Sequence, residues 1–161
     1  MPTLVRDGEI TEDEWTYGAE PESSRETRTI LNIEDFVKQA HVELHGVCLD
    51  SSVEIEDVID QIKQAALIAV NFATFADGRG LSLAVLLRSR YGYKGELRAV
   101  GEVLPDWTPY MLRSGFDSFE LADASAAASA IACMQRLTDQ YQASVIQPNP
   151  RFRRSSSKIV K

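Results

Sequence analysis

Cysteine is nearly missing from this chain: its 161 residues hold two, Cys48 and Cys133, far apart and in no C-x-x-C spacing. A disulfide framework and a thiolate cluster site are therefore excluded, and two reduced, structural thiols are expected. Histidine is as scarce. His41 and His45 are four apart, a spacing that can share a metal on a helix, but no third ligand accompanies them and the end of a helix accommodates both. No Ser-His-Asp or Cys-His arrangement can be assembled from so few histidines. Long apolar runs are absent as well: none approaches the ~20 residues a membrane helix needs, and the chain does not open on a charged-then-apolar leader. The expectation is a cytoplasmic protein with no membrane partner. Positive charge is thin, with 17 bases against 24 acids and a net charge of -7. Five of those bases (Arg151, Arg153, Arg154, Lys158 and Lys161) lie in residues 151–161, so the rest of the chain is more acidic still. Such a body repels phosphate backbones, and nucleic acid is not expected as a partner.

What remains is a 44% hydrophobic chain of a length suited to one domain with a substantial core. Residues Leu4 to Ile10 read as a hairpin around Asp7-Gly8. An acidic arm follows to residue 29, with Trp15 and Tyr17 as its only large apolar groups and a mobile middle over 19–26. Alternation of strands and helices then begins. Thr29–Asn32 is a strand, and Ile33, Phe36, Val37, Ala40 and Leu44 recur at helical spacing up to Gly46. Val47–Leu49 is the next strand, and Asp50-Ser51-Ser52 caps a helix with the stripe Ile55, Val58, Ile59, Ile62, Ala65 and Ala66. The run Leu67–Phe72 is apolar on successive residues, as in a strand covered on both faces. A helix over 81–91, a strand over 96–101 and a short helix between Thr108 and Gly115 follow, with Trp107, Tyr110 and Met111 turned inward. Ser118–Leu121 is a fifth strand, Asp123 caps a long alanine-rich helix, and Ser144–Ile146 is a candidate sixth strand. The domain boundaries are then 1–29 for the hairpin and arm, 30–147 for the α/β domain and 148–161 for a basic disordered tail. The fold class is α/β: one three-layer domain, a mostly parallel sheet of five or six strands flanked by helices (flavodoxin- or Rossmann-like), with an N-terminal hairpin arm. At this length only an incomplete barrel competes.

In an open parallel sheet, ligands bind beyond the carboxyl ends of the strands. That edge gathers Asn71, Phe75, Asp77, Gly78, Arg79, Gly80, Glu102 and Asp106, the candidate site. Gly78 and Gly80 would free the backbone, helix N–H groups would favour an anion, and Arg79 would add a forked donor. Equally, Asp77 could serve only as a helix cap, with Arg79 pairing with Asp77 or Glu102. Leu83 stands where a dinucleotide fingerprint needs its third glycine, and no flavin, nicotinamide or iron–sulfur motif is visible, so no cofactor is expected. Glu102 and Asp106 are candidates for acid–base work if they face Asp77, or for a strand-end charge and a helix cap. Arg98, within a strand, reads as an ion-pair partner.

The phrases Phe75-Ala76-Asp77-Gly78-Arg79-Gly80, Arg90-Tyr91-Gly92-Tyr93-Lys94-Gly95-Glu96-Leu97-Arg98-Ala99 and Gly115-Phe116-Asp117-Ser118-Phe119-Glu120-Leu121 resemble a bacterial family of unknown function, domain of unknown function nine-three-four. Its usual label is an oxidoreductase of sulfite reduction. The resemblance implies an accessory role in assimilatory sulfate and sulfite reduction toward cysteine. Sulfite reductase or adenylylsulfate reductase would be the partner, and a small anionic sulfur metabolite a possible ligand or substrate. One segment departs from the family: Gly101-Glu102-Val103-Leu104-Pro105-Asp106-Trp107 replaces its usual Gly-Asp-Val-Leu-Arg-Asp-Gln, removing an arginine and a glutamine from the proposed edge.

Overall fold

The computed structural model describes residues 1–18, 28–136 and 140–156. The hairpin forms as its turn chemistry demands: β1 (Thr3–Arg6) and β2 (Glu9–Thr11) pair antiparallel, with Asp7 and Gly8 both at positive φ. β3 (Trp15–Tyr17) follows three residues later, and the mobile middle expected over 19–26 lies outside the described residues. The strand–helix alternation then runs β4 (Arg28–Asn32), α1 (Ile33–Phe36), β5 (Gly46–Asp50), α2 (Ile55–Ile62), β6 (Leu67–Phe72), α3 (Arg79–Ser89), β7 (Glu96–Gly101), α4 (Thr108–Ser114), β8 (Ser118–Leu121) and α5 (Ala124–Gln135). Asp123 caps α5 by accepting the Ala126 N–H at 2.8 Å. Gly115 stops α4 at φ 110°, a conformation that suits glycine.

Three local expectations need correction. The first helix is one turn long: Phe36 is buried and Ile33 partly buried against the core, but Val37 and Leu44 stay exposed, and His41 and His45 flank a 3-10 turn instead of sharing a helical face. Asp50 folds back on Ser52 in a local turn, so α2 starts later, after Glu54. Ser144–Ile146 is a reversal closed by paired Ser144–Gln147 backbone bonds, not a strand. Beyond it, within the expected basic tail, α6 spans Arg151–Ser156.

The sheet itself differs from the expectation. Eight strands join in the order β2-β1-β8-β7-β6-β5-β4-β3, parallel from β3 through β8, with only β1 running antiparallel to its neighbours. The hairpin therefore extends one side of the sheet, with β2 at the edge, and is not a separate arm. A doubly wound sheet needs a reversal of strand order to place helices on both faces. Here β4 to β8 are neighbours in chain order, and right-handed crossovers then put every helix on the same side. The packing agrees: Leu31, Val47, Leu49, Ile68, Val70, Leu97, Ala99, Phe119 and Leu121 share one core with the apolar faces of the helices. The alternate residues Ile30, Leu67, Ala69 and Val100 pack instead against Trp15.

Chain connectivity forces the sheet to curl. Flat, eight strands would separate β2 from β3 by roughly 34 Å. Thr11 and Trp15 are joined by three residues, which reach at most about 15 Å. The two edges must approach each other, so the helix-free face becomes a concave interior. Arg98 on β7 lies at its base, 0% exposed, bonded to Glu96 Oε1 at 3.0 and 3.1 Å and to Asp13 Oδ2 at 2.7 Å. Glu96 also accepts from Ser118 (2.6 Å) and Arg6 (3.3 Å). Asp13 belongs to the three-residue link, so a buried ion network ties the closing strap to the centre of the sheet.

Candidate functional site

The carboxyl ends of β5, β6 and β7 do bring the predicted loop residues together. Asp77 is the hub. It accepts the Ser51 hydroxyl at 2.7 Å, both arms of the Arg79 guanidinium at 2.9 and 2.8 Å, and the Arg79 N–H at 3.1 Å. The Arg79 side-chain bonds, then Ser51 and the Arg79 N–H, hold its carboxyl well below the usual carboxylate range. Arg79 keeps its charge for the same reason. Of the alternatives open in the sequence, this is the cap and ion pair: Asp77 closes the first turn of α3, and the fork of Arg79 is spent on it. Arg79 also lines a groove of about 180 Å³ with Ser51, Ser52 and Ser82.

The two glycines of this loop serve packing rather than unusual backbone. Neither has a positive φ; Gly78 sits at -73°. A Cβ at Gly80 would stand 2.6 Å from the ring of Phe72, whereas one at Gly78 would meet nothing within 4 Å. Asn71 lies at the top of the interior face, level with Asp50 across β5 and β6, and its Oδ1 faces the backbone of Gly101.

Glu102 reaches the loop from the other side, accepting the Phe75 N–H at 3.1 Å, while its own N–H donates to Phe72 O at 2.8 Å. That bond latches the β6–α3 loop to the β7–α4 segment and uses Glu102 as a brace. No hydrogen bond joins Asp106 to Asp77 among those between described residues; Asp106 instead lines a cleft of about 390 Å³ with Leu81, Trp107 and Tyr110. Trp107 is half-buried and Met111 buried, as expected, but Tyr110 is 63% exposed. Phe75 at 48% and Leu104 at 38% are exposed on the same two loops. With its polar groups engaged by one another, the rim presents an apolar, aromatic surface.

Sequence reasoning missed a second cluster inside the curl. Tyr17 donates its hydroxyl to Glu120 at 2.9 Å, joining edge strand β3 to β8 across the concave face. Burial of the hydroxyl end, then the Glu120 charge, raises the phenol above its ordinary range. Cys48 lies near the same carboxylate, and burial, then Glu120 and Asp50, push its thiol up, so it stays protonated. The signal was period-two alternation: Cys48, Glu120 and Arg98 occupy the alternate positions that a two-sided burial reading could not assign to a separate interior. Among the described residues, no group of three or more His, Cys, Asp or Glu is placed to hold a metal.

The other resemblance-bearing residues are occupied in building the unit β6–α3–β7–β8. Arg88 donates to the carbonyls of Tyr93, Gly95 and Gly115 and pairs with Asp117, which accepts the Leu97 N–H. Tyr93 donates to Ala65 O at 2.9 Å, and its ring leaves no room for a Cβ at Gly95. Phe75 is the large apolar motif residue left exposed by this packing. No curated protein matches the chain. A family profile does, over residues 46–152, well over half of the chain and covering β5 through the first residues of α6. The chain thus belongs to the family described as "Bacterial protein of unknown function (DUF934)".

Proposed function

We propose that this protein is an accessory factor of assimilatory sulfite and sulfate reduction, the role implied by its family's usual label, and that it docks onto a partner enzyme through the rim at the strand carboxyl ends. The observation that carries the docking surface is the contrast within the rim. Asp77, Arg79 and Ser51 satisfy one another and Glu102 accepts the Phe75 N–H, while the Phe75 side chain and Leu104 remain exposed beside the cleft of Trp107 and Tyr110. Aromatic groups beside a pocket, with charge neutralised nearby, are what protein interfaces place at their centres. Sulfite reductase is the first partner to test and adenylylsulfate reductase the second. Immobilised full-length protein captures one of them, and the Phe75→Ser/Leu104→Ser variant, folded by its unchanged melting temperature, loses at least tenfold in affinity. Wild-type protein that captures neither, or a variant that binds equally, overturns the reading.

A second reading has its own observation. Beyond its pair with Asp77, Arg79 is largely exposed and lines the 180 Å³ groove with three serines and with Glu54 and Glu56; a small anion such as sulfite, sulfate or adenylylsulfate, as ligand or as substrate of an enzyme acting at this loop, is held there by Arg79 against those two acids. Such an anion raises the melting midpoint of the wild type, and Arg79→Ala removes the rise. Equal midpoints with and without anions exclude it.

A further inference from the structure

At the other end of α3 from Arg79, the helix face bears a second groove, which shares Tyr110 with the cleft of the rim. Val85 on α3, Tyr110 and Arg113 on α4, and Val145 and Pro148 from the C-terminal segment enclose about 660 Å³, within the range of small-molecule sites. The Val145 N–H donates to Arg113 O at 3.1 Å, which fixes the segment as a wall of the groove. A crevice of about 160 Å³ opens beside it, and Arg113 and Ser144 line both.

Arg113 sits in the last turn of α4, where a cation suits the helix dipole. That accounts for its charge but not for its geometry. Its Nε–H is shielded from solvent and meets no acceptor, and its guanidinium makes no ion pair with any described residue. In the same crevice, the Oε1 of Gln140 is shielded and meets no donor. Buried polar groups are rarely left so, because each loses its bonds to water and gains none in return. Arg113 thus carries an unmet donor where groove and crevice adjoin, and Gln140 an unmet acceptor within the crevice, which together define the complement of both.

We propose that the groove binds a small organic acid with an apolar body. Its carboxylate receives the Arg113 fork, and a hydroxyl on the neighbouring carbon donates to Gln140. The apolar portion lies along Val85, Tyr110, Val145 and Pro148.

The test follows the Arg113 Nε–Hε resonance of the full-length protein in nitrogen-15 spectra, assigned with Arg113→Lys, during titration with 3-phenyllactate. The resonance and the methyl groups of Val85 and Val145 move together and saturate. The neutral 3-phenyllactamide binds at least tenfold more weakly, and 3-phenylpropionate, which lacks the hydroxyl, at least threefold more weakly. Arg113→Lys, which keeps the helix-end charge, weakens 3-phenyllactate tenfold; Arg79→Ala leaves it unchanged. If 3-phenyllactate moves none of these resonances, the proposal fails. It fails equally if Gln140→Leu alone moves the arginine resonance while 3-phenyllactate does not, since the two side chains then satisfy each other.

Discussion

Single residues divide sharply in what they do, and Gly78 and Gly80 show it two positions apart. A methyl at Gly80 meets the fully buried Phe72 ring at 2.6 Å, so Gly80→Ala should cost about 1–3 kcal/mol by overpacking. Gly78→Ala, with open space and an ordinary φ, should stay within about 0.5 kcal/mol of wild type. Urea unfolding of both variants checks the contrast, and equal losses would contradict it. Asp77 adds a dependence on pH. Its folded pKa lies below the unfolded value near ~3.9, so its contribution is present above that value and is lost as pH falls through the folded one. Asp77→Asn should therefore be less stable than wild type at neutral pH, with the two stability curves converging in strong acid. Parallel curves over that range would show that the carboxylate is not the group responsible.

Elements were the most legible level of this chain. Strands over 67–72, 96–101 and 118–121 coincide with the expected spans because each is a short apolar run between turn residues. α5 begins where Asp123 announces it, and Asp123→Ala should lower stability by about 1 kcal/mol in thermal or urea unfolding. The first helix failed for a physical reason: helical spacing of Ile33, Phe36, Val37, Ala40 and Leu44 says nothing about whether a surface exists for them to cover. The candidate loop was legible as a place, since glycines and charges mark a strand-to-helix turn. Its wiring was not. Whether Arg79 pairs with Asp77, with Glu102 or with a ligand depends on distances that spacing does not encode, and Tyr17–Glu120 joins residues 103 apart.

The whole molecule was hardest to read, because strand order and curl depend on which edges meet. The decisive clue was the three-residue link between β2 and β3, visible only once their places at opposite edges are known. The curl makes the interior network a tertiary lock. Arg98→Ala should cost about 3 kcal/mol, since it leaves the largely buried Glu96 without its principal cation. A double-mutant cycle of Asp13→Ala with Arg98→Met should give a coupling of about 1 kcal/mol or more; a value near zero would mean that the strap is held by Trp15 packing alone.

A curled sheet with helices on its outer face leaves the carboxyl rim as the surface on which the proposed role depends. The most direct test is growth of a deletion strain in its native bacterium with sulfate or cysteine as the sole sulfur source. Poor growth on sulfate and normal growth on cysteine are expected, with rescue by the wild-type chain and none by Phe75→Ser/Leu104→Ser at equal protein level. Normal growth of the deletion strain on sulfate would contradict the proposed role.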